Sequence, residues 1–96
     1  GIVKEVLIVG DSKDIVIDTS PEWSKYLSEK GYIGINGCSI TIGKIHDSRF
    51  QIHLIPETLK TTNLDNLVFG DKVNLEIDQS TIVIVDTTER ILKNKT

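Results

Sequence analysis

The sequence predicts a mainly β, antiparallel domain, and three observations predict it. Stretches of strand length rich in Ile and Val recur between Gly1 and Ile77. Turn signals of the Asn-Gly or Gly-Asp kind separate several of them. Within some, apolar and polar residues alternate, as a strand with one buried face requires. At 96 residues the chain can hold one modest core and not two, so residues 1–96 are read as a single domain.

Gly1 to Val9 is the first strand and stops at the turn signal Gly10-Asp11; Asp14 to Asp18 is the second, so the two are expected to pair as a hairpin. Ser20-Pro21 then opens a helix, with Ser20 as its cap and Pro21 at the first helical position, where a missing N–H costs nothing. Trp23, Tyr26 and Leu27 follow at helical spacing, and Gly31 ends the element. The Trp23 stripe is read as core packing and not as a ligand-stacking surface.

The stretch Lys30 to Thr41 is the centre of the chain. Apolar residues run into Asn36-Gly37 and out again, and both turn residues tolerate the positive φ of a two-residue type I′ turn. Beyond the turn, Ser39 and Thr41 are two apart and share one strand face, while Cys38, Ile40 and Ile42 take the other. Two readings of those hydroxyls stay open: a small polar site on a rigid hairpin, or a half-buried strand face.

Gly43 to Ser48 reads as a polar loop. Arg49 to Ile55 is a further strand, with Phe50, Ile52 and Leu54 on one face and Arg49, Gln51, His53 and Ile55 on the other. Pro56 to Leu59 forms one helical turn, and Asn63 to Asn66 is a loop. Val68-Phe69 and Val73 to Ile77 flank Gly70-Asp71 as another hairpin. The tail is ambiguous. Thr81 to Val85 is β-branched throughout, yet Ile82, Val85, Glu89 and Leu92 fall near helical spacing and Thr87 to Lys93 contains good helix formers.

Fourteen acidic residues against 11 basic ones give a net charge of -3, which argues against nucleic acid and anionic membranes as partners. No apolar run approaches a membrane span, and no signal peptide is expected. One cysteine excludes an internal disulfide and fits a reducing, cytoplasmic compartment. A first residue of Gly1 and no methionine suggest a trimmed or partial polypeptide.

Standard phosphate loops and the nucleophile elbow are absent. His46 and His53 are too few and too isolated to make a metal site with Cys38, so no metal is expected. His46 reads as solvated, and Cys38 as a small buried hydrophobe. A trio of Ser39, His53 and Asp78 can be drawn, but a chain of this size offers one by chance.

Four ordered stretches add more. Lys30 to Thr41, Leu54-Ile55-Pro56-Glu57-Thr58-Leu59 with Thr61-Thr62, Val73-Asn74-Leu75-Glu76-Ile77-Asp78, and Asp86-Thr87-Thr88-Glu89-Arg90-Ile91-Leu92 resemble the lumazine-binding domain of riboflavin synthase, alpha-chain type. The intervals between them match without gaps, from about Lys25 to Leu92. Such domains occur in tandem, and the Asn-Leu-Glu-Ile-Asp segment and the tail resemble the C-terminal copy.

The resemblance implies a six-stranded antiparallel Greek-key barrel with short helices and a C-terminal helix at about residues 80–93. It implies a transferase that dismutates two molecules of 6,7-dimethyl-8-ribityllumazine to riboflavin and 5-amino-6-ribitylamino-pyrimidinedione, with no cofactor and no metal. Each domain would bind one lumazine. A full site would form where an N-terminal domain of the same protein meets this one within a homotrimer. Carried over by position, Lys30, Ser39, Thr41, Ile55 and Thr58 would surround the ligand, and Gly34 and Gly37 would let backbone approach the flat ring. Ser39 and Asp78 would stand nearest the chemistry, Ser39 steering a water or hydroxyl and Asp78 holding that group or shifting protons. Asn36 stands where the family's C-terminal copy usually has Asp, so it keeps the turn but cannot titrate. The alternative is a non-catalytic lumazine or flavin carrier, like the antenna proteins of luminous bacteria; Ser39, Thr41 and Asp78 favour the enzyme.

Overall fold

A computed structural model of the chain describes residues 1–94. Six strands, β1 (Ile2–Val9), β2 (Ser12–Asp18), β3 (Tyr32–Ile35), β4 (Cys38–His46), β5 (Arg49–Leu54) and β6 (Leu75–Glu76), form one antiparallel sheet in the order β1-β2-β5-β4-β3-β6. Three α-helices accompany it among the described residues, α1 (Pro21–Ser24), α2 (Pro56–Thr61) and α3 (Gln79–Asn94), and Leu64–Asn66, expected as loop, forms a 3-10 turn that buries Leu64. The β1–β2 and β3–β4 hairpins turn where the sequence predicts, with Gly10 at φ 60° and the pair Asn36 and Gly37 at φ 48° and 86°.

The core follows from period-two alternation. Ile15 and Ile17 of β2, Ile33 and Ile35 of β3, Ile40 and Ile42 of β4, and Phe50, Ile52 and Leu54 of β5 all point to one buried face. Val3, Leu64, Leu67 and Val73 close the cluster.

Several expectations are corrected. α1 is four residues long, Ser20 makes no side-chain cap bond, and Trp23 is 44% exposed, because one helical turn is too short to present a stripe to the core. Trp23 instead meets the edge of Tyr26 at 5.8 Å. The polar segment after Gly43 is not a loop: β4 continues to His46. Ile42 and Ile45 are three residues apart, and a bulge between them returns Ile45 to the inner side.

The hairpin expected around Gly70-Asp71 does not form either. Val68 and Phe69 are exposed and outside any strand, and the turn sends the chain across the start of β1. Val3 N–H bonds Asp71 O at 2.8 Å, Gly70 N–H bonds Val3 O at 2.8 Å, and Ile2 bridges Lys72. That bridge joins β1 to the segment that precedes β6, the two outer strands of the order being β1 and β6. They share no continuous ladder, so the sheet is not closed, and "barrel" describes its curl only loosely.

The tail is helical from Gln79. Asp78 accepts the Thr81 N–H at 3.0 Å, the bond an N-cap makes to the third helical residue, and this starts the helix despite the β-branched run. α3 buries no side chain in this chain. It is tethered near its middle, where Tyr26 Oη donates to Asp86 at 2.7 Å and Lys25 Nζ meets Glu89 at 3.0 Å.

Candidate functional site

The inward alternation fixes what faces out. With Ile33, Ile35, Ile40 and Ile42 buried, Tyr32 and Gly34 of β3 and Ser39 and Thr41 of β4 stand on the outer face, paired as Tyr32–Thr41 and Gly34–Ser39. β6 lies on the other side of β3 and pairs Glu76 with Gly34. Glu76, Gly34 and Ser39 therefore stand in one row across three strands. Above that row lies a groove of about 230 Å³, lined by Tyr32, Ile33, Gly34, Ser39, Glu76, Ile77 and Asp78.

Gly34 keeps the groove open. A Cβ there would lie 3.2 Å from the Glu76 Cβ and 3.7 Å from its Oε2, so any side chain would fill the gap between β6 and Ser39. Asp78 closes one end, where Ser80 Oγ donates to its Oδ2 at 2.5 Å and Thr81 Oγ1 to its Oδ1 at 2.6 Å. These donors, with the Thr81 N–H, stabilise the charged form and hold the carboxyl at a pKa of about 2. It is ionised at neutral pH and serves as an acceptor.

Other residues singled out in the sequence surround this groove at varying distances. Ile42 gives its own N–H to Gly31 O at 2.8 Å and its C=O to Lys30 N–H at 2.9 Å. Its pairing with Ile52 of β5 must therefore run through the flanking residues, which sets Thr41 against His53 and Gly43 against Gln51. A Cβ on Gly43 would touch the Gln51 carbonyl at 3.0 Å, consistent with that register. Thr41 thus has Tyr32 on one side and His53 on the other.

Lys30, at φ 67°, leaves its side chain in solvent. Ile55 leaves β5 in the direction of Thr41 and Ser39 and is 47% exposed, and Thr58 is half-buried one turn into α2. Asn36 is occupied in holding the fold: its N–H bonds Asn74 O at 2.9 Å and its Oδ1 accepts the Asn74 N–H at 2.8 Å, which pins the approach to β6. Gly37 supplies the second positive φ of the turn and is exposed. The structure thus brings Gly34, Ser39 and Asp78 into one groove with Thr41 beside it. Lys30, Asn36, Gly37, Ile55 and Thr58 lie outside its lining.

The Ser39–His53–Asp78 trio is not assembled. His53 Nδ1 is bonded to Asp14, its partner across the β2–β5 ladder, and Asp78 is occupied by Ser80 and Thr81. Cys38 is half-buried against the core, and among the described residues no group of three or more His, Cys, Asp or Glu is placed to hold a metal. A larger cavity of about 550 Å³ lies between the β1–β2 turn and α2, but it contains none of these residues, and Lys13 within it is committed to Asp65 at 2.6 Å. The smaller groove is the candidate site. Tyr32, Ile33, Glu76 and Ile77 are the lining members the sequence reading did not place in the site; alternation in Val73–Ile77 turns Glu76 outward, but only the pairing with β3 shows what it faces.

Comparison with known proteins follows the same outline. The family described as "Lumazine binding domain" matches residues 1–78. Riboflavin synthase of Escherichia coli (strain K12) is 52% identical over 68 residues, covering 71% of this chain and 32% of that protein. Riboflavin synthase of Buchnera aphidicola subsp. Baizongia pistaciae is 37% identical over 94 residues, covering 97% of this chain and 44% of that protein. Among solved structures, LumP complexed with riboflavin superposes with a TM-score of 0.78 at 25% identity, over 83% of this chain and 43% of that one. LumP complexed with 6,7-dimethyl-8-(1'-D-ribityl) lumazine gives 0.74 at 27% identity, over 80% and 42%. The chain therefore spans less than half the length of the proteins it matches, and α3 lies beyond the matched 78 residues.

Proposed function

We propose, for a chain that belongs to the lumazine-binding domain family, a seat for one ribityllumazine or riboflavin molecule that serves as half of a riboflavin synthase site. The reaction would take two 6,7-dimethyl-8-ribityllumazine molecules to riboflavin and 5-amino-6-ribitylamino-pyrimidinedione by moving a four-carbon unit. The second lumazine would be held by an N-terminal domain of the same protein, within a cytoplasmic homotrimer. The observation that carries this reading is the groove in which Gly34 of β3, Ser39 of β4 and Asp78, the cap of α3, meet above the β3 backbone.

The size of the groove supports a half-site. At about 230 Å³ it falls below the roughly 300–1,000 Å³ of a pocket that encloses a small molecule. One flat face of a ligand would lie on Gly34 and the other would need cover from elsewhere. The strand order, with β2 returned beside β5 after a long connection, supports a Greek-key reading of the sheet.

In this scheme the Ser39 hydroxyl, exposed at the groove, directs a water or a ligand hydroxyl at the ring. Asp78, ionised and held in place by Ser80 and Thr81, orients that group and favours developing positive charge nearby. Thr41, Lys30, Ile55 and Thr58 flank the ligand on the β5 and α2 side. Asn36 and Gly37 fix the hairpin that carries Ser39.

LumP, with riboflavin bound, sustains the second reading, a carrier that holds its ligand without converting it. Calorimetric titration tests what both share. Riboflavin should bind at about one per chain, and Gly34→Val should abolish binding while circular dichroism keeps the β signature. Wild-type protein giving no heat and no change in flavin fluorescence at high micromolar ligand would end both readings.

A further inference from the structure

Given the reading of the outer face as a lumazine or flavin seat, on which this rests, we infer that His53, held in place by Asp14, is a further wall of that seat, and that the ligand binds its uncharged ring better than its charged one. Pairing of Ile42 with Ile52 sets Thr41 against His53 and, carried past the end of β5, Ser39 against Ile55. These four residues mark the corners of a patch about 5 Å by 7 Å, one strand spacing by two residues along a strand. Ser39, Thr41 and Ile55 already belong to the proposed seat. A flat ring resting on those three covers the fourth corner, and the His53 side chain, 55% exposed, stands there to be covered.

Asp14 fixes how the imidazole stands. It pairs with His53 across the β2–β5 ladder and takes a hydrogen bond from Nδ1. An ionised carboxylate can only accept, so Nδ1 carries the proton. Nε2 is left on the side of the ring away from that bond, with no partner among the described residues. Histidine changes charge near neutral pH. Covering the ring strips its water, and the charged form loses more by that than the uncharged one. Asp14 favours the charged form, so carboxylate and ligand act on the same proton in opposite directions. The other charges on adjacent elements stand apart. On β2, Asp18 is engaged by Arg49 at 3.8 Å, and Lys13 lies on the opposite face with Asp65 at 2.6 Å. On the β4 side the row continues through the hydroxyls of Thr41 and Tyr32, with Lys44 exposed beyond the bulge. Past Ile55, α2 adds Glu57 and Lys60, both exposed.

The test is a pH profile of affinity. Riboflavin, which keeps one charge state between about pH 5 and about pH 8, is titrated across that range by flavin fluorescence. Wild-type affinity should fall about fivefold or more from the upper end to the lower, the low end of coupling between linked sites. His53→Gln should flatten the profile, and His46→Gln, at the far end of β4, should leave it as in the wild type. Asp14→Asn, which removes the group that favours the charged ring, should move the fall to lower pH. His53→Gln alters an exposed side chain and so guards against loss of fold in the half-buried Asp14 variant. If wild-type affinity is level across the range, or His53→Gln keeps the fall, His53 is no part of the seat while the seat stands. An Asp14→Asn profile identical to that of the wild type overturns the holding role of Asp14. Wild-type protein that binds no riboflavin at any pH overturns the seat, and this inference with it.

Discussion

Asp78 caps α3 and borders the groove with one carboxylate, and the first position constrains any role in the second. As the N-cap of α3 it is ringed by donors that lower its pKa from 3.8 to about 2. A depressed carboxylate stabilises the fold at pH values above its unfolded pKa, and that contribution is lost as pH falls through the folded pKa. The helical signal of α3 should therefore weaken between about pH 4 and pH 2, as far-UV circular dichroism would record. Asp78→Asn keeps a capping oxygen but cannot titrate, so it should retain the helix and lose the acid transition attributed to this residue. Ser39 is the complementary case, exposed and without a side-chain partner among the described residues. On the proposed half-site reading, Ser39→Ala in the two-domain assembly should lower turnover by more than it weakens ligand binding, because a contact made mainly in the transition state appears in kcat. An alanine variant with unchanged kcat would remove Ser39 from the mechanism. The outward direction of Ser39 and Thr41 was legible from period two alone. The capping role of Asp78 was not, because the β-branched run after it left the start of a helix undecided.

At the scale of elements, the strands that build the groove were legible wherever apolar residues alternate strictly, as in Asn36-Gly37 with its flanks and in Phe50-Gln51-Ile52. Phe50 is 1% exposed at the centre of that pattern, and Phe50→Ala should destabilise the domain by about 3–5 kcal/mol in a urea titration. A loss below about 1 kcal/mol would mean the β5 register is wrong. Sequence reasoning failed where the period breaks. The bulge at Ile42–Ile45 hid four residues of β4 behind a polar appearance, and β6 is two residues long because its neighbours Lys72 and Val73 are engaged with the start of β1. The pairing of Glu76 with Gly34 is a long-range contact that no local pattern encodes, so the acid facing the site stayed hidden. α1 misled in the opposite way: Trp23, Tyr26 and Leu27 have helical spacing, but the helix ends at Ser24.

For the molecule as a whole, the groove is open and helix α3 buries no side chain, which is what the proposed half-site requires. Val83, Ile84, Ile91 and Leu92 are each at least half exposed on α3, an apolar surface of the kind that marks an interaction site. On the proposed reading, dismutation needs two lumazines in donor and acceptor roles, and this chain would hold one. A twofold pair of these chains could bring two grooves together, yet it would place identical residues around ligands that must behave differently. Orienting two reactants is worth about 7–11 kcal/mol of a barrier, and a symmetric pair would retain only part of it. The direct test is riboflavin formation from 6,7-dimethyl-8-ribityllumazine by the purified chain, before and after adding a separately prepared N-terminal domain. The half-site account predicts ligand binding with turnover several orders of magnitude below an intact synthase, rising on addition of the second domain; full activity from this chain alone would contradict it.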